Sequence, residues 1–246
     1  MTSPRDQSPS HDLARSKTEL AQRNAALACF AERIAHDLRS PIEATKGFLA
    51  LACGPFGGEL TGQARACVEH ASAANDRMGQ LIEGLLSYAA AGGAAHLDHV
   101  SLGDLVVAST IDVRELAAST EGRIQAGPLP TVDTDPTLLR QLLRHLIANA
   151  LTYGRPGVPP IVQVEAETTS SGWWISVSDN GRGIPPEEQA DVFGLFTRLP
   201  GGRDVPGSGI GLATCARIAD ALGGRISIVS NDTGGTTFRL TVDRAS

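Results

Sequence analysis

The chain has 246 residues, enough for one large or two modest domains, each with its own core. Its composition is globular, 41% hydrophobic and 20% charged, but only 4% aromatic, so the core must rest on Leu, Ile, Val and Ala. A net charge of −6 argues against nucleic acid as a partner, and no run approaches the ~20 apolar residues of a membrane span, so a cytoplasmic protein without membrane insertion is expected.

Residues 1–10 are polar and proline-punctuated, the pattern of a disordered tail. From His11 to about Cys53 the pattern is helical, with Leu13, Leu20, Leu27 and Ile34 seven apart in a coiled-coil-like seam. Gly54-Pro55-Phe56-Gly57-Gly58 breaks it. A second helix, 61–91, carries Met78, Leu81, Ile82, Leu85 and Leu86 at helical spacing. Two helices joined by a short turn form an antiparallel hairpin. Alone they cannot bury apolar faces this wide, so a second copy completing a four-helix bundle is expected; packing on the chain's own second domain is the alternative.

The run 89–95, Ala-Ala-Ala-Gly-Gly-Ala-Ala, reads as a hinge. Beyond it the pattern predicts a helix over 102–121, a strand over 123–126 and an amphipathic helix over 136–153 with Pro136 in its first turn. Strands follow over 161–168 and 173–178 around the turn Ser170-Ser171-Gly172, then a helix over 212–222 ended by Gly223-Gly224. Strands over 225–230 and 236–242 close the chain. Helices and a mixed sheet in this order predict an α+β two-layer sandwich. Cys29, Cys53, Cys67 and Cys215 make no C-x-x-C pair and no metal-ligand spacing. Free buried thiols are expected, with Cys53 and Cys67 brought near each other across the hairpin.

Three segments carry chemistry. Asp179-Asn180-Gly181-Arg182-Gly183-Ile184 closes a strand, and its glycines let the backbone approach a ligand. Gly207-Ser208-Gly209-Ile210-Gly211-Leu212 opens a helix, leaving N–H groups and the positive helix end for phosphates. Upstream, His36-Asp37-Leu38-Arg39-Ser40-Pro41 sets a histidine beside an acid on an apolar-periodic helix.

Together these segments resemble the sensor histidine kinases of two-component signalling, in the family's order from about residue 11 to 243; the stretch 192–218 looks most like phytochrome-type kinases. The resemblance implies a dimerisation and phosphoacceptor hairpin over 11–91, a linker over 92–99 and a catalytic ATP-binding domain over 100–246, a histidine kinase ATPase-type sandwich. It makes His36 the phosphoacceptor, Asp37 its base, and Ser40 a residue where relatives that also dephosphorylate their partner carry Thr or Asn.

By the same resemblance Asn149 ligates Mg²⁺ through its amide oxygen, a hard donor for a hard cation. Asp179 accepts the adenine amine, and Gly181 and Gly183 admit the base. Tyr153 and Leu212 line the pocket, Gly207, Gly209 and Gly211 cradle phosphates, and Thr236 helps hold the adenine. Phe193 and Phe196 flank a lid over 197–206, in which Arg198 and Arg203 contact phosphates. Two residues depart from the pattern: His145 replaces a frequent Asn, and Thr152 stands where a phosphate-contacting Lys is common. The implied activity is autophosphorylation of His36 by Mg-ATP in a homodimer, then transfer to an aspartate of a response-regulator receiver. With no sensor domain expected in 246 residues, input is expected from a separate sensor protein, from the short N-terminal coil or from something the sequence does not show. A catalytically weak scaffold or phosphotransfer protein is the alternative, and a serine kinase or ATPase on the same nucleotide fold is a third.

Overall fold

The computed structural model describes residues 35, 38–52, 62–199, 207–229 and 234–244. His36, Asp37, the seam positions from Leu13 to Ile34, Cys29, Cys53, the turn at 54–60 and Arg203 lie outside the described residues.

Helix α1 (38–52) and helix α2 (Gly62–Ala90) form the hairpin. Buried Asn75 stitches them, donating from Nδ2 to the Ile42 carbonyl at 3.0 Å, and Lys46 pairs with Asp76 at 3.6 Å. Phe48 is 73% exposed, and Leu38, Leu51, Met78, Leu81 and Leu85 are exposed as well. An apolar face of this size is left open to a partner. Among the described residues no helix is long and apolar enough to cross a membrane.

The second unit starts earlier than the linker reading puts it. Strand β1 (Asp98–Ser101) pairs antiparallel with β3 (Thr131–Thr134), and the His96 N–H donates to Asp135 Oδ2 at 2.9 Å. The predicted helix over 102–121 is two helices, α3 (Leu102–Asp112) and α4 (Arg114–Ser119). No Gly or Pro marks the break. At Val113 the backbone leaves the helix (φ −110°, ψ 12°) and the side chain is buried in the core, so tertiary packing overrides local helix preference.

A five-stranded sheet runs β2 (Arg123–Ala126), β4 (Ile161–Thr169), β5 (Gly172–Asp179), β7 (Thr237–Asp243), β6 (Gly224–Val229). The β2–β4 pair is parallel and the others are antiparallel. Alternate residues align across it: Val164, Val177, Phe238 and Ile228 in one row, Ala166, Ile175, Leu240 and Ile226 in the next. These rows meet Leu139, Leu142, Leu143, Leu146 and Ile147 of α5 (Pro136–Thr152) and Cys215 and Ile218 of α6 (Gly211–Ala221). Helix α5 starts where Asp135 Oδ1 accepts N–H bonds from Thr137 (2.9 Å) and Leu138 (3.0 Å), with Pro136 in the first turn. The result is a helix layer on one face of a sheet.

On the opposite face the Arg239 guanidinium lies 4.3 Å from the Trp174 ring centre, while Trp173 points into the core. The thiols do not match the expectation of burial throughout. Cys215 is buried, where desolvation pushes its thiol pKa up, but Cys67 is exposed on α2.

Candidate nucleotide-binding site

Asp179 ends β5 and is half-buried. Its Oδ1 accepts N–H bonds from Gly181 at 2.8 Å and Thr236 at 3.1 Å, and its own N–H donates to the Thr236 carbonyl at 2.8 Å. Burial raises its pKa above the usual carboxylate value, opposed by those two N–H bonds and by Arg155. The backbone packs so closely that only glycine fits at two points. A Cβ on Gly181 would lie 2.6 Å from the Tyr153 carbonyl, and one on Gly235 would collide with the Asp179 carbonyl. Thr236 therefore reaches Asp179 through its backbone N–H.

Helix α5 supplies the next wall. Asn149 is half-buried, and its amide takes no hydrogen bond from the described residues. Among the described residues no cluster of three His, Cys, Asp or Glu could hold a metal, so a cation here would rely on Asn149 and on oxygens brought by a ligand. Thr152 turns its hydroxyl onto its own helix, donating to the Ala148 carbonyl at 2.7 Å. The Tyr153 ring carries the Arg182 guanidinium 5.4 Å from its centre, and Arg155 Nε donates to the Gly181 carbonyl at 2.9 Å. Sequence reasoning assigned neither arginine a role, although Arg182 sits inside the glycine motif.

The third wall is the turn Gly207–Gly211. Gly209 has φ +70°, and a Cβ there would fall 2.9 Å from Phe196 and Thr197 backbone atoms. Among the described residues no side chain caps the start of α6, and half-buried Leu212 packs on the core. Phe193 packs edge-on against Phe238 at 6.2 Å, with Gly183 approaching the Gly234 carbonyl nearby. Phe196 is 59% exposed in a left-handed conformation (φ 61°), and Arg198 is half-buried. Ser40 is exposed on α1, in the other unit.

His145 of α5 meets α2 and the start of α6. Its Nε2 is 3.4 Å from Ser87 Oγ on α2, and its Nδ1 lies 3.4 Å from where a Cβ on Gly211 would sit. Burial, aided by Arg144, pulls its pKa down to about 4, so the ring is neutral near pH 7.

The candidate site thus consists of a strand-end carboxylate held by two N–H groups, a half-buried asparagine on α5 and a glycine turn before α6. Residues 26–93 match the His Kinase A (phospho-acceptor) domain, and residues 134–246 match the histidine kinase-, DNA gyrase B- and HSP90-like ATPase domain. The chain belongs to the sensor histidine kinases. Such relatives include cyanobacterial phytochrome A of Nostoc sp., 31% identical over 94% of this chain and 30% of its own length. Another is the sensor histidine kinase ZraS of Escherichia coli, 29% identical over 94% of this chain and 48% of its own length. The chain thus spans less than half of either relative. Among solved structures, full-length ShkA in complex with AMPPNP is similar with a TM-score of 0.64 and 25% identity, over 88% of this chain and 46% of that one.

Proposed function

We propose that this histidine kinase binds Mg-ATP at Asp179 and phosphorylates His36 within a homodimer. The observation that carries the reading is the Asp179 carboxylate, fixed at the end of β5 by the Gly181 and Thr236 N–H groups, with glycines letting the backbone close up around it. A carboxylate there accepts the adenine amine. The phosphates then extend toward Asn149 and the start of α6, where the helix dipole favours anions. Mg²⁺, held by the Asn149 amide oxygen and phosphate oxygens, would neutralise charge on the triphosphate.

A His36 imidazole nitrogen attacks the γ-phosphorus; an N–P bond forms, the bond to the ADP oxygen breaks, and ADP leaves. Asp37 takes the ring proton. The phosphoryl group then passes to a carboxylate of a receiver protein, restoring the imidazole. Residues 11–91 act as the dimerising acceptor unit and 100–246 as the catalytic unit. The cytoplasm supplies the ATP, and Ser40 is the residue through which a phosphatase activity would run.

Incubation with labelled ATP should leave an acid-labile, base-stable phosphoryl group on the wild type and none on His36→Ala, which should still bind ATP. Label persisting in that variant would refute the assignment. A weaker reading, a scaffold or phosphotransfer protein that turns over little, draws on Thr152, whose hydroxyl serves the helix rather than a phosphate. It predicts ATP binding without measurable labelling.

A further inference from the structure

The last turns of α2 are built into the back of the phosphate-binding turn. Gly84 lies so close to it that a Cβ would fall 3.0 Å from Ile210 Cδ1 and 3.1 Å from Ser208 Oγ, with Ile210 itself fully buried. One turn on, Ser87 Oγ accepts from Gln141 Nε2 at 2.6 Å and meets His145 Nε2 at 3.4 Å. The other edge of the His145 ring faces Gly211, the first residue of α6. Beside them the Arg217 guanidinium of α6 lies 4.6 Å from the Tyr88 ring centre and crowds Gly92. Ala89 and Ala91 are buried at the same seam. Thus the two ends of the Gly207–Gly211 turn rest on the hairpin, one directly and one through His145.

We propose that Gly84 and Ser87 of the hairpin position the phosphate cradle, so that part of the affinity for the triphosphate is set by α2 rather than by the nucleotide domain. This deepens the nucleotide reading above and rests on it. The physical argument is preorganisation. N–H groups fixed by packing bind an anion without an ordering cost, whereas a turn free to drift must be ordered by the ligand. Neither residue touches the nucleotide; both act through Ile210, Ser208 and His145. Among the described residues the hydrogen bonds that hold Asp179 and Thr236 at the adenine end involve no residue of this seam, so the effect should be selective for phosphates.

The test measures calorimetric affinity of the full chain for adenosine and for a non-hydrolysable ATP analogue with Mg²⁺. Gly84→Val pushes a branched side chain into Ser208 and Ile210. It should weaken the analogue within the about 5- to 150-fold range of ordinary coupling free energies, with adenosine changed less than about twofold. Ser87→Ala, a milder change that keeps the fold if Gly84→Val does not, should shift the same ratio in the same direction. Ser87→Thr, which keeps the hydroxyl, should restore it. A merely structural role would lower both affinities together, and that result overturns the proposal. So does an unchanged ratio in both variants, or a tighter analogue in Gly84→Val. Asp179→Ala is run alongside. If it retains both ligands, the nucleotide reading itself fails; if it loses both while the Gly84 and Ser87 ratios stay fixed, only the positioning role fails.

Discussion

The hairpin and the sandwich solve the same problem in opposite ways. The sandwich seals its own core: Leu139, Leu142, Leu143 and Ile147 have no exposed surface, and the two sheet rows close over them. The hairpin leaves Phe48, Leu51, Leu81 and Leu85 open to solvent on the same chain. A unit that completes its core needs no partner to bury it. One that does not presents an apolar face, which the homodimer proposed above would cover.

The sharpest way to break this contrast is Leu81→Glu with Leu85→Glu. Leucine area that the pair would cover is worth about 1 kcal/mol each, but an unpaired carboxylate in that seam costs several kcal/mol. The double variant should sediment as a monomer and still bind ATP through its intact sandwich. A wild-type chain that is monomeric at micromolar concentration would refute the bundle.

Leu143→Ala tests the other half. It removes a fully buried side chain and should cost the sandwich about 2–5 kcal/mol, lowering its melting temperature while the dimer persists. Loss of dimerisation with the sandwich would show that the two units fold as one.

His145 lies on the seam between them and adds a pH handle. Its folded pKa is about 4, against an ordinary 6.5, so the unfolded chain binds the extra proton first. The stabilising contribution is complete above pH 6.5 and falls as pH drops toward 4, by about 3 kcal/mol in all. Melting curves from pH 7 to 4.5 should show a steeper acid loss for wild type than for His145→Asn; parallel curves would contradict burial of this ring.

The smallest effect concerns Asp179, whose pKa is raised mainly by burial, so its charged form costs stability near neutrality. The sign follows: protonation stabilises the fold as pH falls through the raised value, and charge weakens it above. Asp179→Asn keeps an oxygen for the Gly181 and Thr236 N–H groups without the charge. It should lose ATP affinity yet melt slightly higher than wild type at pH 7. A lower melting temperature would mean the carboxylate is structural.

The sequence showed most clearly those elements whose signals are local. Helix α5 announces itself by its apolar stripe, Asp135 and Pro136, and the β4–β5 hairpin by alternation around Ser170-Ser171-Gly172. Strands β1 and β3 are four residues each, and pair Asp98 with Thr134 across a long intervening segment, so nothing nearby marks them. The break at Val113 has the same origin in distant packing. Of the site, Asp179 and its glycines follow from spacing, because glycine is required wherever backbone meets backbone. That Thr152 spends its hydroxyl four residues back is a local habit of threonine in helices and was open to anticipation. The links from Ser87 to His145 and from Arg182 to Tyr153 join segments far apart in the chain, and only the folded arrangement reveals them.

Both tryptophans of this chain, Trp173 and Trp174, sit side by side on β5, the strand that ends in Asp179. One is packed in the core; the other lies beneath the Arg239 guanidinium on the opposite face. Intrinsic fluorescence therefore watches the sandwich from both sides of its sheet. The hairpin carries no tryptophan at all, so separation of its helices leaves the emission silent. Emission set against the helical ellipticity of the whole chain gives the two units separate optical signals without any label.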